Sequence, residues 1–217
     1  MATMMVTEKT AQFFHGYARD FDAIYGTKNG VFSSVINRLF RQSMKERYLL
    51  TLEGCTPIAG RTVLDIGSGP GHYSIELARR GAGRVLGIDF ADGMLELARA
   101  RAARDHLDSV TFERADFLKT TYPEPFDYVI VMGFMDYVRD ARAMIERALG
   151  VTRSKAFFSF PLDGGILATQ RRIRYKARCD LFLYTEPQVH ELFAGIDGVR
   201  IDARSLGRDL FVTAHKA

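Results

Sequence analysis

The stretch Val63-Leu64-Asp65-Ile66-Gly67-Ser68-Gly69-Pro70-Gly71 is the part of the chain from which the fold can be read. Thr62 to Ile66 is a short apolar run that predicts a strand. Gly67, Gly69 and Gly71 break it at alternate positions, and a helix then begins whose apolar residues Ile75, Leu77 and Ala78 fit a helical period. Strand, glycine turn, helix is how a doubly wound sheet receives a nucleotide-like ligand. Glycine suits the turn because the chain folds back tightly and a ligand must approach bare backbone.

The details of the turn narrow the ligand. A dinucleotide fingerprint spaces its glycines as G-x-G-x-x-G, but here that third position is His72 and the third glycine is Gly71. Pro70 lacks the N–H that a phosphate would use. Asp65 sets a carboxylate at the mouth of the turn, where a phosphate is repelled and a cation is welcome. Asp89 follows the next apolar run, Arg84-Val85-Leu86-Gly87-Ile88, where an acid can meet the two hydroxyls of a ribose. The pattern reads as adenosine plus a cation, without a diphosphate.

On these residues the chain resembles the class I S-adenosylmethionine-dependent methyltransferases. The resemblance is carried by Asp65 to Gly71, by Gly87-Ile88-Asp89-Phe90, by Ala91-Asp92-Gly93-Met94-Leu95 and by Ala115-Asp116-Phe117, and it is strongest over residues 60–161. It implies S-adenosyl-L-methionine as cofactor and S-adenosyl-L-homocysteine as product. A donor with a sulfonium, an ammonium and no phosphate agrees with the separate reading of the turn.

The rest of the chain alternates in the same sense. After the helix at 71–80 come a strand at 84–89, a helix at 91–104, a strand at 109–113, a strand from Phe126 to Met132, a helix at 140–149 and a strand at 155–160. Thr185-Glu186-Pro187-Gln188 is a capping box that starts a further helix. Two final strands, near 199–204 and 209–215, resemble the antiparallel hairpin that closes the family's sheet. The expected fold is α/β, a doubly wound and mostly parallel seven-stranded sheet of Rossmann-like type, with a C-terminal antiparallel hairpin and an N-terminal helical lid. Right-handed crossovers bring the strand C-terminal ends to one edge, so Asp65, Asp89, Asp116 and Met132 should converge on one crevice. We expect one domain over 1–217, with a helical cap at 1–55 and a core at 56–217 that carries a substrate-side insertion at 162–184.

Before the core, Phe13, Phe14, Tyr17, Phe21 and Tyr25 recur at spacings that place them on one helical face, either packed on the core or forming the lid. A second helix is expected from about Val31 to Leu52, with Arg38, Arg41, Lys45 and Arg47 reading as a solvated charged face.

Residue roles follow from the resemblance. Tyr17 reaches the methionine end of the cofactor. Gly67, Ser68 and Gly69 bring backbone to its methionine and ribose parts. Asp65 orients the ammonium, or simply stabilises the turn. Asp89 accepts from the ribose hydroxyls, or caps the following helix. Phe90 packs on the adenine, or in the core. Asp116 accepts from the adenine amino group beside the Phe117 backbone, or is a plain loop acid. Met132 and Gly133 line the region near the sulfur, although Met132 is equally suited to the core. Candidates for a catalytic base are His15, Asp136 and Tyr137, needed only if the acceptor must lose a proton.

Composition sets further bounds. With 30 Lys and Arg against 26 Asp and Glu, the net charge of +4 is mildly basic and suits an anionic partner. The basic run 171–178 motivates an anionic substrate, or else a solvated surface. Two cysteines without motif spacing, Cys55 and Cys179, argue for a reducing compartment. No apolar run is long enough to span a bilayer and no signal-peptide core is visible, so a cytoplasmic location is expected. Gly133-Phe134-Met135-Asp136-Tyr137 lacks the Asn or Asp followed by two prolines of adenine amino-methyltransferases, and neither cysteine lies near it, as a cytosine carbon-5 enzyme requires. The expected activity is transfer to a small molecule at O or N, with nucleic acid disfavoured. An RNA or protein methyltransferase, or a non-catalytic cofactor-binding protein, is the alternative.

Overall fold

The computed structural model describes residues 33–164 and 180–217. His15, Tyr17 and the rest of the aromatic stretch in which a helix is expected, together with the basic run 171–178, lie outside the described residues.

Helix α1 (Ser33–Gly54) leads to β1 (Thr62–Ile66), α2 (His72–Arg79), β2 (Arg84–Asp89), α3 (Asp92–Arg104), β3 (Val110–Arg114) and β4 (Phe126–Val131). A single 3-10 turn (Met135–Tyr137) follows, then α4 (Ala141–Gly150), β5 (Thr152–Pro161), α5 (Glu186–Phe193), β6 (Val199–Ser205) and β7 (Asp209–Lys216). The seven strands form one sheet in the order β3-β2-β1-β4-β5-β7-β6. β1 to β5 are mutually parallel, and β7 runs antiparallel to both β5 and β6. The order reverses between β1 and β4, which is where an open α/β sheet holds its ligand.

Each strand sends alternate residues to opposite faces. Leu64, Ile66, Leu86, Ile88, Val129 and Val131 pack with residues of α4 and α5. Val63, Val85, Tyr128, Ile130 and Phe157 pack with residues of α1, α2 and α3. Both faces are therefore apolar, as a parallel sheet covered on both sides requires. Each fully buried Leu or Phe contributes about 1.5–3 kcal/mol over leaving it in water.

The same alternation positions the site. In β1, Asp65 follows Val63 on the α2 face. Asp65 pairs in register with Gly87, so Asp89, two residues on, shares that face on the neighbouring strand. In β5, Ser159 follows Phe157 on the α1 face, and in β7 Asp209 precedes Phe211 on the same side.

The expected elements appear with ends moved by a residue or two, apart from β5. It starts at Thr152, three residues before the expected 155, because its first residues pair with the start of β4 through an irregular register. The capping box is present: Thr185 Oγ1 accepts from Gln188 N–H, and Gln188 Oε1 accepts from Thr185 N–H. One reading of the basic face is corrected. Arg47 is not solvated but 9% exposed, because α1 lies across the sheet and its Ser43, Arg47 and Thr51 positions, spaced by four, face inward.

Candidate active site

The glycine turn is closed on itself. Gly67 N–H and Ser68 N–H both donate to Ile88 C=O, at 2.9 and 3.0 Å. Gly71 N–H donates to Ser68 C=O at 3.0 Å, and Gly69 N–H donates to Asp89 Oδ2 at 2.8 Å. Pro70 has no N–H to offer. The N–H groups of Gly67, Ser68, Gly69 and Gly71 are thus engaged within the protein.

The three glycines serve three purposes. Gly67, at φ 70°, lies under the Phe134 ring, and a Cβ there would stand 2.4 Å from a ring carbon. Gly71, at φ 78°, lies against Phe112 and Ala98, 2.7 and 3.1 Å from an added Cβ. Gly69, at φ 52°, has nothing within 4 Å of such a Cβ. Of the three, Gly69 is the one with open space for a ligand.

Two carboxylates meet at this turn. Asp65 is 1% exposed and accepts from Ser74 Oγ at 2.6 Å. Burial pushes its pKa up to about 7; hydrogen bonds from the Ser74 side chain and backbone oppose the shift, and the Asp89 charge adds to it. Asp89 is less enclosed. Its Oδ2 accepts from Gly69 and its Oδ1 from Ala91 N–H at 2.9 Å. Burial raises its pKa, and the N–H groups of Ala91, Gly69 and Phe90 hold it back. A carboxylate has about four acceptor positions, and three N–H groups use most of them, so Asp89 ties the turn with about one position to spare.

Asp116 stands beyond β3. Its Oδ1 accepts from Leu118 N–H at 3.2 Å. Its Oδ2 is buried without a hydrogen bond, 3.3 Å from the Lys119 ammonium. An acceptor left without a hydrogen bond fits an incoming amino group. The Phe117 ring is 1% exposed in the core, and Arg147 lies over it at 5.9 Å, so what Phe117 can offer the crevice is its backbone. Phe90 is half-buried against the core.

Met132 is 6% exposed and packs on the α1 side of the sheet. Gly133, at φ 67°, turns the chain out of β4, and its N–H donates to Ser159 Oγ at 2.8 Å. Asp136 is 3% exposed in the 3-10 turn, and its C=O accepts from Phe182 N–H at 2.8 Å. Tyr137, in the same turn, is half-buried. The two ends of the insertion are fastened here: Leu162 bridges Tyr184, and the Tyr184 hydroxyl lies 3.4 Å from Met135 C=O. Burial first, then the nearby Asp136, pushes the Tyr184 pKa up to about 12.

The structure thus brings Asp65, Ser68, Gly69, Asp89, Phe90, Asp116, Met132, Gly133, Asp136 and Tyr137 to the C-terminal edge of the parallel strands. Sequence reasoning missed Arg47, Ser159, Asp209, Phe134 and Tyr184 at the same edge. One signal was available: Ser159 interrupts the apolar run Ala156-Phe157-Phe158-Ser159-Phe160. Arg47 had none, since burial of one arginine in a basic helix depends on what the helix lies against.

The fold and the glycine turn are similar to those of the class I, S-adenosylmethionine-dependent methyltransferases. Residues 63–155 match the family model described as a methyltransferase domain. Among curated relatives, a ubiquinone biosynthesis O-methyltransferase of Neisseria meningitidis serogroup C is 35% identical over 112 residues, 50% of this chain and 47% of that one. The 27-O-demethylrifamycin SV methyltransferase of Amycolatopsis mediterranei is 31% identical over 157 residues, 67% of this chain and 58% of that one. The chain spans about half the length of these curated relatives. Among solved structures, the magnesium protoporphyrin IX methyltransferase of Synechocystis PCC 6803 with bound S-adenosylhomocysteine superposes with a TM-score of 0.76 at 20% identity, covering 95% of this chain and 98% of that one. That likeness is one of fold. Among the described residues no helix is long and apolar enough to cross a membrane.

Proposed function

We propose that the chain binds S-adenosylmethionine and transfers its methyl group to an oxygen or nitrogen of a small-molecule acceptor. The observation that carries this reading is the glycine turn: its N–H groups are engaged internally, and two carboxylates, Asp65 and Asp89, stand at it. Such a pocket favours a nucleoside bearing positive charge and disfavours a diphosphate.

When bound, the cofactor supplies a methyl carbon activated by a sulfonium, which the acceptor displaces in line. The protein's part is to hold the donor and to exclude water. Asp89 would take the ribose hydroxyls, Asp116 the adenine amino group, and the field of Asp65 the ammonium. Phe90 would cover the adenine, and Gly69 would let it approach the backbone. Gly133 and the main chain of Met132 would border the sulfur. Asp136, Tyr137 and Tyr184 would face the acceptor. The relatives' names, which place methyl transfer in ubiquinone biosynthesis and on 27-O-demethylrifamycin SV, favour oxygen. The net charge of +4 suits an anionic acceptor.

Calorimetry tests the first half. S-adenosylhomocysteine should bind with a dissociation constant in the micromolar range, about −8 kcal/mol, and NADH should not bind. Incubating the protein with a metabolite extract and labelled methyl donor tests the second half. Label in the small-molecule fraction supports the reading; label in RNA or protein, or binding of NADH instead, overturns it.

A further inference from the structure

A buried polar chain links α1, β4, β5 and β7 at the site edge. Gly133 N–H donates to Ser159 Oγ at 2.8 Å. Arg47 Nη1 donates to the same oxygen at 3.2 Å and stands 3.6 Å from Asp209 Oδ2. Ser159 and Asp209 are 1% and 2% exposed. The guanidinium also covers Gly133 itself: a Cβ on that glycine would lie 3.4 Å from Arg47 Nη2. Burial works against the charge of Arg47, but Tyr73, Asp209 and Asp136 outweigh it and keep the group cationic.

This arrangement is a poor way merely to pack a helix. The ion pair is long, and Arg47 Nε is buried with no hydrogen bond. An apolar side chain of similar volume would cover the sheet without the cost of desolvating a charge. What the guanidinium does that an apolar group cannot is meet Tyr73 and Asp209 and also point a donor at the Ser159 hydroxyl. An oxygen held from two sides then has one orientation in which to receive the Gly133 N–H. Gly133 is in the left-handed region two residues after the end of β4, so the peptide that turns the chain past the crevice depends on that oxygen.

We propose that Arg47 is a positioning residue: acting through Ser159, it fixes the Gly133 peptide that borders the methyl-bearing end of the donor. The proposal rests on the reading of this crevice as the S-adenosylmethionine site. It assigns α1 and β7, which lie outside the glycine-turn motifs, a part in shaping that site.

The test uses the full chain and the variants Ser159→Ala, Arg47→Met and Arg47→Lys, with two readouts. Amide hydrogen exchange is followed in a fragment spanning 132–136, with the β1 fragment 62–66 as the measure of folding. Binding of S-adenosylhomocysteine is followed by calorimetry. Ser159→Ala and Arg47→Met should raise exchange at 132–136 by tenfold or more, leave β1 protected, and weaken binding about tenfold. Arg47→Lys keeps the charge beside Asp209 but loses the planar fork, and should behave like Arg47→Met. Unchanged exchange at 132–136 in Ser159→Ala overturns the proposal. So does an Arg47→Lys protein with wild-type exchange and affinity, because Arg47 would then only neutralise Asp209. If the wild type binds no S-adenosylhomocysteine while exchange responds as stated, the relay stands and the cofactor reading fails.

Discussion

The Asp89 carboxylate accepts the Gly69 N–H at 2.8 Å across a separation of 20 residues, joining the end of β2 to the one glycine of the turn that faces open space. A second oxygen of the same carboxylate holds Ala91 N–H. Asp89 is therefore a fastener of the turn; on the function proposed above it also meets the ligand, and its replacement should act on both.

Asp89→Asn exchanges one acceptor for an NH2 donor. Calorimetry should show S-adenosylhomocysteine binding weakened by about 1.5–3 kcal/mol, the worth of hydrogen bonds to a charged group. Affinity equal to the wild type would remove Asp89 from the site.

Gly67→Ala and Gly69→Ala should differ in kind. At Gly67 the new methyl meets the Phe134 ring, so urea unfolding should show a loss of about 2–4 kcal/mol. Phe134→Ala in the same chain should return part of it through coupling of the two sites. At Gly69 no atom is in the way. The folding cost should be that of a left-handed alanine, about 1–2 kcal/mol, while cofactor affinity falls because the methyl enters the ligand's space. Equal losses of stability in the two variants would contradict the separate roles.

The pH dependence follows from Asp65, whose pKa rises on folding from 3.8 to about 7. The folded chain holds this proton more tightly than the unfolded one. The stability it contributes is fully present below the unfolded value and is lost as pH rises through the folded one. Asp65→Asn should thus show a flatter stability profile between about pH 4 and 7. Binding runs the other way, since an ammonium-bearing ligand prefers the ionised acid. Wild-type affinity for S-adenosylhomocysteine should rise from pH 6 to pH 8, by at most about tenfold per unit, and Asp65→Asn should abolish the rise. A wild-type affinity independent of pH across that range would rule out Asp65 as the ammonium's partner.

Much of the fold was written locally. The short apolar runs of β1 and β2, the alternate glycines, Pro70 and the Thr185–Gln188 box each act over a few residues, through sterics and near-neighbour hydrogen bonds. They named the parallel sheet, its ligand-bearing edge and the carboxylates there. The buried Arg47 was not legible, because a charge in a basic helix is solvated or enclosed according to what the helix meets. Nor was the job of Gly67, whose partner Phe134 comes from a different strand end.

Strand pattern and turn chemistry, read from the sequence by itself, determined the alternation of strands and helices, the mostly parallel sheet and the acids at its edge, whereas the strand order came from the structure. Tertiary structure decided that the turn's N–H groups are engaged within the protein, which of its glycines has open space, and that Arg47, paired with Asp209, meets Ser159 beside Gly133. The physical reason is range: propensity and periodicity are properties of neighbours along the chain, whereas burial of a charge and closure of a hydrogen-bonded chain depend on distant residues, such as Arg47 and Ser159, 112 positions apart.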